Sequence, residues 1–366
     1  MSEKFFQPKN PERLQAQTEV FSDEKLSKLF KKENAEILKY SFELSKIKDL
    51  NNLPSGLPEE LVNLVHAHKD EYIAFLREEK RIETSFIENN IKNYKEKFQP
   101  IIANLKSKIG EDDFKRMGGI LNILNNGNFK KLPEYLGSGN ISSAFRVEMD
   151  GKKFAAKITP DASMVGFEIK PLIRAKGIPH TAQLEAYSME DHVVIMNLLP
   201  GSSILEVSSQ EIPEYPKEHI SQLIDTMCAL SKRGLKVDYN LSNYMYDKEK
   251  GFSILDYSLY GYNSLYVDIL SLVKVLAVRK KENKNQSTVD SEKDYDKRYL
   301  RGLIEIIDIL KDKHPEILSE YKQAQDKLEA SGKERMNFIQ PYIKKDAHFN
   351  DPEIEKYVKK LSDMGF

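Results

Sequence analysis

Apolar positions along the chain follow two different periods, and the change between them falls near residue 131. Before it, Leu26, Leu29, Phe30, Ile37, Leu38, Phe42 and Leu44 recur at roughly helical spacing, behind Ser22 as N-cap with Asp23 and Glu24 in the first turn. The turn chemistry of Pro54-Ser55-Gly56 breaks this pattern. A second, longer helix is predicted over 58–97, carrying Leu61, Leu64, Val65, Tyr72, Ile73, Phe75 and Leu76. Pro100 suits the first turn of a third helix, and a fourth is predicted over 111–124. From residue 131 the pattern alternates instead. A hairpin is predicted over 135–147, followed by a turn at Asp150-Gly151 and a strand over 154–158. A short helix over 165–175, a strand over 192–199 and a helix over 216–232 come next. Tyr244-Met245-Tyr246 and the run 252–255 flank a polar turn, which predicts a second hairpin. A buried helix over 265–278 closes this region. A charged linker over 279–294 then leads to helices over 295–312, 315–330 and 352–364.

Composition narrows the class of protein. A length of 366 residues predicts two domains or three. The formal net charge of −1 supplies no global attraction to nucleic acid or to an anionic membrane, so no nucleic-acid partner is expected. The single cysteine, Cys228, rules out an internal disulfide. It falls among the helical apolar positions Ile220, Leu223, Ile224, Met227 and Leu230, where a buried, inert thiol is expected. The best apolar run, 265–278, is broken by Asp268 and Lys274, so a soluble chain without a membrane span is expected. Residues 1–21 are polar and lack the apolar core of a signal peptide. They are expected to be disordered, or to carry an export signal that composition does not reveal.

Candidate chemistry sits on short turns in the strand region. Asp238 and Asn243 are five apart, and Asp256 follows thirteen residues later at the end of a strand. Mg²⁺ takes oxygen ligands, commonly one or two carboxylates with substrate phosphates, so this layout suits a metal–nucleotide site. The same residue types also form turns for local hydrogen-bonding reasons. Upstream, Lys157 lies inside an apolar strand, where an unpaired ammonium would be costly.

Taken together, residues 135–278 resemble the protein kinase superfamily. Gly137-Ser138-Gly139 looks like the glycine-rich loop, with Ser142 in place of its third glycine and Ala144 at its valine position. Lys157 in Ala155-Ala156-Lys157 resembles the strand lysine that holds the α- and β-phosphates, and Glu168 resembles its helix partner, at a shorter spacing than usual. Val194-Ile195-Met196-Asn197-Leu198-Leu199-Pro200-Gly201 looks like the last strand and hinge. That match implies a gatekeeper at Met196 and adenine contacts from the backbone of Asn197 and Leu199. Asp238 matches the catalytic-loop aspartate, and Asn243 and Asp256 match the Mg²⁺ ligands. Asn240 stands where many protein kinases carry a lysine that steadies the γ-phosphate. Asp268 resembles the aspartate of a buried helix that braces the catalytic loop.

Departures from the pattern are informative. Lys236 replaces a histidine, and Tyr257-Ser258 replaces Phe-Gly. Only a few residues separate Asp256 from the helix bearing Asp268, which leaves no room for an activation loop. This reduced plan is similar to the OspG/NleH-type effector kinases that bacterial pathogens inject into host cells. The shared features are the Asp238 to Asn243 loop, the Tyr246-Asp247-Lys248-Glu249 turn, Pro200-Gly201 and Ile212-Pro213.

The resemblance implies an α+β, minimal bilobal protein-kinase-like fold, with an antiparallel N-lobe sheet, a reduced helical C-lobe and added N- and C-terminal helices. Domains are expected at 1–21, 22–130 (helical), 131–278 (kinase-like), 279–294 (linker) and 295–366 (helical). ATP and Mg²⁺ are the implied cofactors. The implied activity is Ser/Thr protein phosphorylation in the host cytoplasm, switched by a host partner such as ubiquitin or a ubiquitin-charged conjugating enzyme. Two other readings stay open: a small-molecule phosphotransferase of the aminoglycoside or choline kinase type, and a pseudokinase scaffold. The N-terminal helices could cap the enzyme, localise it, recruit substrate, or support the fold.

Overall fold

In a computed structural model, the structure describes residues 89–110, 113–114, 128–138, 142–206, 214–237, 240–259, 265–277, 289–331 and 351–366, with isolated positions at Glu59, Val62, Asn63, His66 and Thr84. The expected helix beginning at Ser22, most of those over 58–97 and 111–124, Gly139, Asp238, and residues 1–21 and 279–288 lie outside the described residues. The fold is α+β, with an antiparallel five-stranded sheet and several helices.

Two compact units make up the chain: Met1–Gly177 with Gln183–Asn197, and Ile178–Ala182 with Leu198–Phe366. The division falls between Asn197 and Leu198, inside the stretch read as a hinge. It does not fall at the expected boundaries near 131 and 295. Helices flanking the strand region on either side are built into the nearer unit.

In the first unit, β1 (Tyr135–Ser138), β2 (Ser143–Met149), β3 (Lys152–Ile158), β4 (Leu184–Ser188) and β5 (Val193–Asn197) form the sheet, in the order β1-β2-β3-β5-β4. Strand β4 was not expected, because Leu184 to Ser188 offers too few alternations to stand out. Register pairs Lys157 with Ala144 on β2 and Val194 on β5. Since successive side chains point to opposite faces, Ala144, Ala155, Lys157, Val194 and Met196 share one face. Phe145, Val147, Phe154, Ala156, Ile158, Val193 and Ile195 share the other.

That second face is covered by helix α1 (Gln99–Ile109) and the turn before it. Phe98, Ile102, Leu105 and Ile109 pack with the sheet residues in one buried core, and the Phe98 and Phe154 rings meet edge to face at 5.3 Å. Two separate helices were expected to meet near residues 97–100. Instead the helical path is continuous, passing through a π turn at Tyr94–Phe98 in which the Gln99 N–H reaches back to the Tyr94 carbonyl. A wider turn here accommodates Pro100, which has no N–H to give.

Polar contacts lock this helical segment to the β4–β5 turn. Tyr94 Oη donates to Asp191 Oδ2 (2.6 Å), Lys106 is paired with the other oxygen, and Asn93 Nδ2 donates to the Glu185 carbonyl (2.9 Å). Burial pushes the Asp191 carboxyl up, but the hydrogen bonds from Lys106 and Tyr94 together bring it below the ordinary carboxylate range. Burial, and then the bond to Asp191, push the Tyr94 phenol far above its usual value, so it stays a donor. A carboxyl depressed in the folded state stabilises above its unfolded pKa of about 3.9, and the contribution is lost as pH falls through the folded value. Asp191→Asn is therefore expected to cost about 1–2 kcal/mol at neutral pH. In urea melts the gap from wild type should close as pH falls below about 4. A gap that persists in acid would remove this account.

The second unit is built on α3 (Lys217–Lys232), against which β7 (Leu235–Val237) and the hairpin β8 (Tyr244–Asp247) and β9 (Gly251–Ile254) pack. A short strand, β6 (Ser202–Ser203), pairs with β8, and β10 (Tyr257–Leu259) pairs with β7. The buried helix expected over 265–278 is two pieces, α4 (Leu265–Ser271) and α5 (Val273–Leu276), broken at Leu272, whose N–H reaches only to Ile269. Helix α6 (Val289–Lys313) starts earlier than expected and takes in the last six residues read as linker. Those residues lack apolar periodicity, but Asp290 and Glu292 suit the first turn of a helix. Helix α7 (Pro315–Ala330) has the predicted bounds, and α8 (Pro352–Asp363) is N-capped by Asp351. Cys228 is buried, and burial pushes its thiol up to about 12, as an inert cysteine requires. Among the described residues, no helix is long and apolar enough to cross a membrane.

Candidate active site

Lys157 and Glu168 form an ion pair at 2.7 Å, with side chains 15% and 13% exposed. Strand β3 delivers Lys157, and helix α2 (Ala162–Arg174) delivers Glu168. Their spacing of eleven residues is short because only residues 159–161 join strand to helix. Thr159 and Asp161 make that turn sharp. The Thr159 hydroxyl donates to the Asp161 carbonyl (3.1 Å), and Asp161 Oδ1 accepts the N–H groups of Ser163 (2.8 Å) and Met164 (3.1 Å) as the N-cap. Glu168 then lies two turns in, facing the sheet.

Around this pair the lysine face is lined by small residues. Ala144 is opposite Gly137 on one side and Lys157 on the other, and Ala155 is opposite Met196. Met196 is buried at 5% exposure on β5. A Cβ at Gly137 would meet nothing within 4 Å, so space lies open beside the β1 backbone. Ser138 Oγ is hydrogen-bonded to Tyr135 Oη and Ser143 Oγ, each at 2.8 Å, which holds the β1–β2 arm together. Asn197 uses its N–H on the Gln183 carbonyl (3.1 Å) and its side-chain oxygen on the Gln183 N–H (2.6 Å). Those two groups of Asn197 therefore serve the sheet. Leu199 is buried, just across the division between units.

The second unit gathers the polar turn residues. Asn240 caps the single 3₁₀ turn Leu241–Asn243, its Oδ1 accepting the Ser242 N–H at 3.1 Å. Its side-chain oxygen is thus engaged in shaping the loop. The Asn243 N–H donates to the Asn240 carbonyl (2.8 Å), and the Asn243 carbonyl accepts from Leu255 N–H (2.8 Å). Asn243 is buried at 8% exposure. These bonds fasten Asn243 to the residue immediately before Asp256, so amide and carboxylate emerge from adjoining turns. Beyond Asp256, Tyr257 pairs with Val237 at the end of β7, and its hydroxyl is bonded to the Ala182 carbonyl. That bond anchors Tyr257 to the segment before β4. Asp268 is 2% exposed in α4. An amide and a carboxylate are hard oxygen donors, the set that Mg²⁺ accepts.

The Pro200-Gly201 step has a packing explanation. Gly201 has a φ of +83°, and a Cβ there would lie 2.1 Å from the Tyr246 carbonyl oxygen. Only glycine lets this segment lie against β8. On β8 and β9 the turn is closed by Asp247, whose Oδ1 accepts the N–H groups of Lys250 and Glu249, each at 2.9 Å. Those two donors also hold its carboxyl below the ordinary range.

No family model fits the chain, and no curated protein matches it. The reading of this site therefore rests on its own residues. Sequence reasoning missed the role of Asn93, Tyr94 and Lys106 in holding the sheet. Their only signal was polarity on one side of a helix, which is the same for a solvated face.

Proposed function

We propose that the chain is an ATP- and Mg²⁺-dependent phosphotransferase of the protein-kinase type, acting on a serine or threonine of a protein. The observation that carries this reading is the Lys157–Glu168 ion pair at 2.7 Å, formed between a central strand of an antiparallel sheet and the helix packed on it. Two partly desolvated charges need each other there, and the ammonium remains placed to receive phosphate oxygens.

Each residue then has a task. Lys157, oriented by Glu168, binds the α- and β-phosphates, with backbone of the Gly137-Ser138-Gly139 arm beside them. Ala144, Ala155 and Met196 receive the base. Asn243 and Asp256 would hold Mg²⁺, which would supply positive charge to neutralise the phosphates. Asp238 orients the acceptor hydroxyl, and Asn240 keeps the loop in shape. Such catalysis rests on positioning and charge neutralisation.

Regulation follows from what the chain leaves out. Only residues 260–264 separate β10 from α4, too few for a phosphorylatable activation segment. A bound partner is the natural substitute, and the likeness to injected effector kinases supports a host protein in that role. Secretion into a host cytoplasm is part of the same proposal. The test is transfer of radiolabelled phosphate from ATP in host-cell lysate. Label should appear with Mg²⁺, vanish on addition of EDTA and return with excess Mg²⁺. Labelling that ignores EDTA, or no nucleotide binding with Mg²⁺ in that lysate, would overturn the proposal.

A further inference from the structure

Helix α2 carries Glu168 between two weak points. Gly166 lies just before it, and glycine is among the poorest helix formers. Pro171 lies just after it and has no N–H to give to the Phe167 carbonyl. The turn around Glu168 is thus a hydrogen bond short, and the helix alone does not fix where the carboxylate stands.

Bonds at the two ends of α2 supply what it lacks. At the N-terminal end, the N–H and hydroxyl of Thr159 donate to the His192 carbonyl, at 2.8 and 3.2 Å, just before β5. At the C-terminal end the fastening is one side chain. Gln183 Nε2 donates to the Ala175 carbonyl (3.2 Å), and Gln183 Oε1 accepts the Gly177 N–H (2.8 Å). A helix end leaves its last carbonyls without intrahelical donors, and an amide offers the donor and the acceptor that these two partners require. The main chain of Gln183 is bonded to Asn197, the last residue of β5, through its N–H and its carbonyl. Both ends of α2 are therefore tied to the two ends of one strand, whose Val194 stands opposite Lys157. The chain leaves the first unit after Gly177 and re-enters it at Gln183, so the same amide joins the two flanks of that excursion.

We infer that Gln183 is a positioning residue for the nucleotide site: its amide holds the C-terminal end of α2 and so keeps Glu168 on Lys157. Its bearing on nucleotide rests on the phosphotransfer reading, whereas its hold on the ion pair does not. A helix cap with no bearing on the pair would change the melting temperature and leave Lys157 as it is. A clasp that works through Glu168 changes Lys157 itself, and loses its effect once Glu168 is gone.

Acylation of the full chain by an N-hydroxysuccinimide ester, mapped by mass spectrometry, reads the pair directly, because an ammonium held by a carboxylate gives up its proton less readily. Gln183→Met keeps the volume and the main-chain bonds to Asn197 and loses both side-chain bonds. In that variant Lys157 should react about tenfold faster than in wild type, within the coupling range of one hydrogen-bonded network, while exposed Lys153 is unchanged. The 8-azido-ATP concentration for half-maximal photolabelling with Mg²⁺ in host-cell lysate should rise by a similar factor. In a Glu168→Ala background, Gln183→Met should raise it no further. Gln183→Glu sets a carboxylate oxygen against the Ala175 carbonyl, so it should act in the same direction, and it takes over if Gln183→Met does not fold. Wild-type reactivity of Lys157 in a folded Gln183 variant would overturn the inference, as would additive losses in the double variant. Wild-type chain that takes no label from 8-azido-ATP, while Lys157 still responds to Gln183, would overturn the phosphotransfer reading and leave the clasp standing.

Discussion

Asp256→Ala is expected to lower phosphate transfer by about 10²- to 10³-fold, the range for losing one preorganised electrostatic contact in a transition state. Asp256 adjoins Leu255, whose N–H is fixed to the Asn243 carbonyl at 2.8 Å, so the loss should fall on metal holding and not on the hairpin. Two readouts separate these. The Mg²⁺ concentration for half-maximal rate should rise in Asp256→Asn, where shape is kept and charge is lost, while the melting temperature stays close to wild type. Asn243→Ala should also raise the Mg²⁺ requirement, with some loss of stability because Asn243 is buried. Wild-type rates for Asp256→Ala at equal Mg²⁺ would sink the assignment of the metal ligands.

Lys157→Met should lose transfer to a similar degree, about 10²- to 10³-fold, by a different route. Breaking a fully buried ion pair costs about 3–5 kcal/mol because one charge is left uncompensated. Here the side chains are 15% and 13% exposed, so Lys157→Met should destabilise by less than that. Glu168→Gln keeps an oxygen near the ammonium and should be milder in both activity and stability. The double variant Lys157→Met/Glu168→Met is the decisive arm. Replacing both charges with apolar groups is often neutral or stabilising, so its melting temperature should recover while activity does not. If activity recovered with stability, the pair would be a scaffold element and Lys157 would not contact phosphate.

Much of the candidate site is legible in the sequence, for local reasons. Turn residues announce themselves by type: Asp247 to Gly251 predicts a hairpin turn, and β8 and β9 flank it at those positions. Apolar alternation places β3 and β5, and the bounds of α7 follow from Pro315 and its spacing. Asp268 reads as a buried acid because its neighbours Ile269 and Leu270 are apolar. The errors are equally physical. Strand β4 is too short to show a period, and the head of α6 is too charged to show one. Pro100 does fall in the first turn of the helix Gln99–Ile109, but a π turn joins that helix to the one before, and such a turn carries no sequence period of its own.

Residue order and type establish a set of chemical groups and the faces they occupy: a lysine in an apolar strand, an acid on the helix after it, and an amide and a carboxylate on turns around a hairpin. Periodicity determines which face of an element is apolar. It is silent on what covers that face, because burial depends on contacts distant along the chain. Folding in three dimensions alone sets α1 over the sheet face opposite Lys157, with Asp191 fastening it through Tyr94 and Lys106. The same packing makes Asn240 a cap and brings Gln183 to the end of α2. Hydrogen bonds and ion pairs act over about 3 Å, and partners some tens of residues apart meet at that range only once the chain has folded.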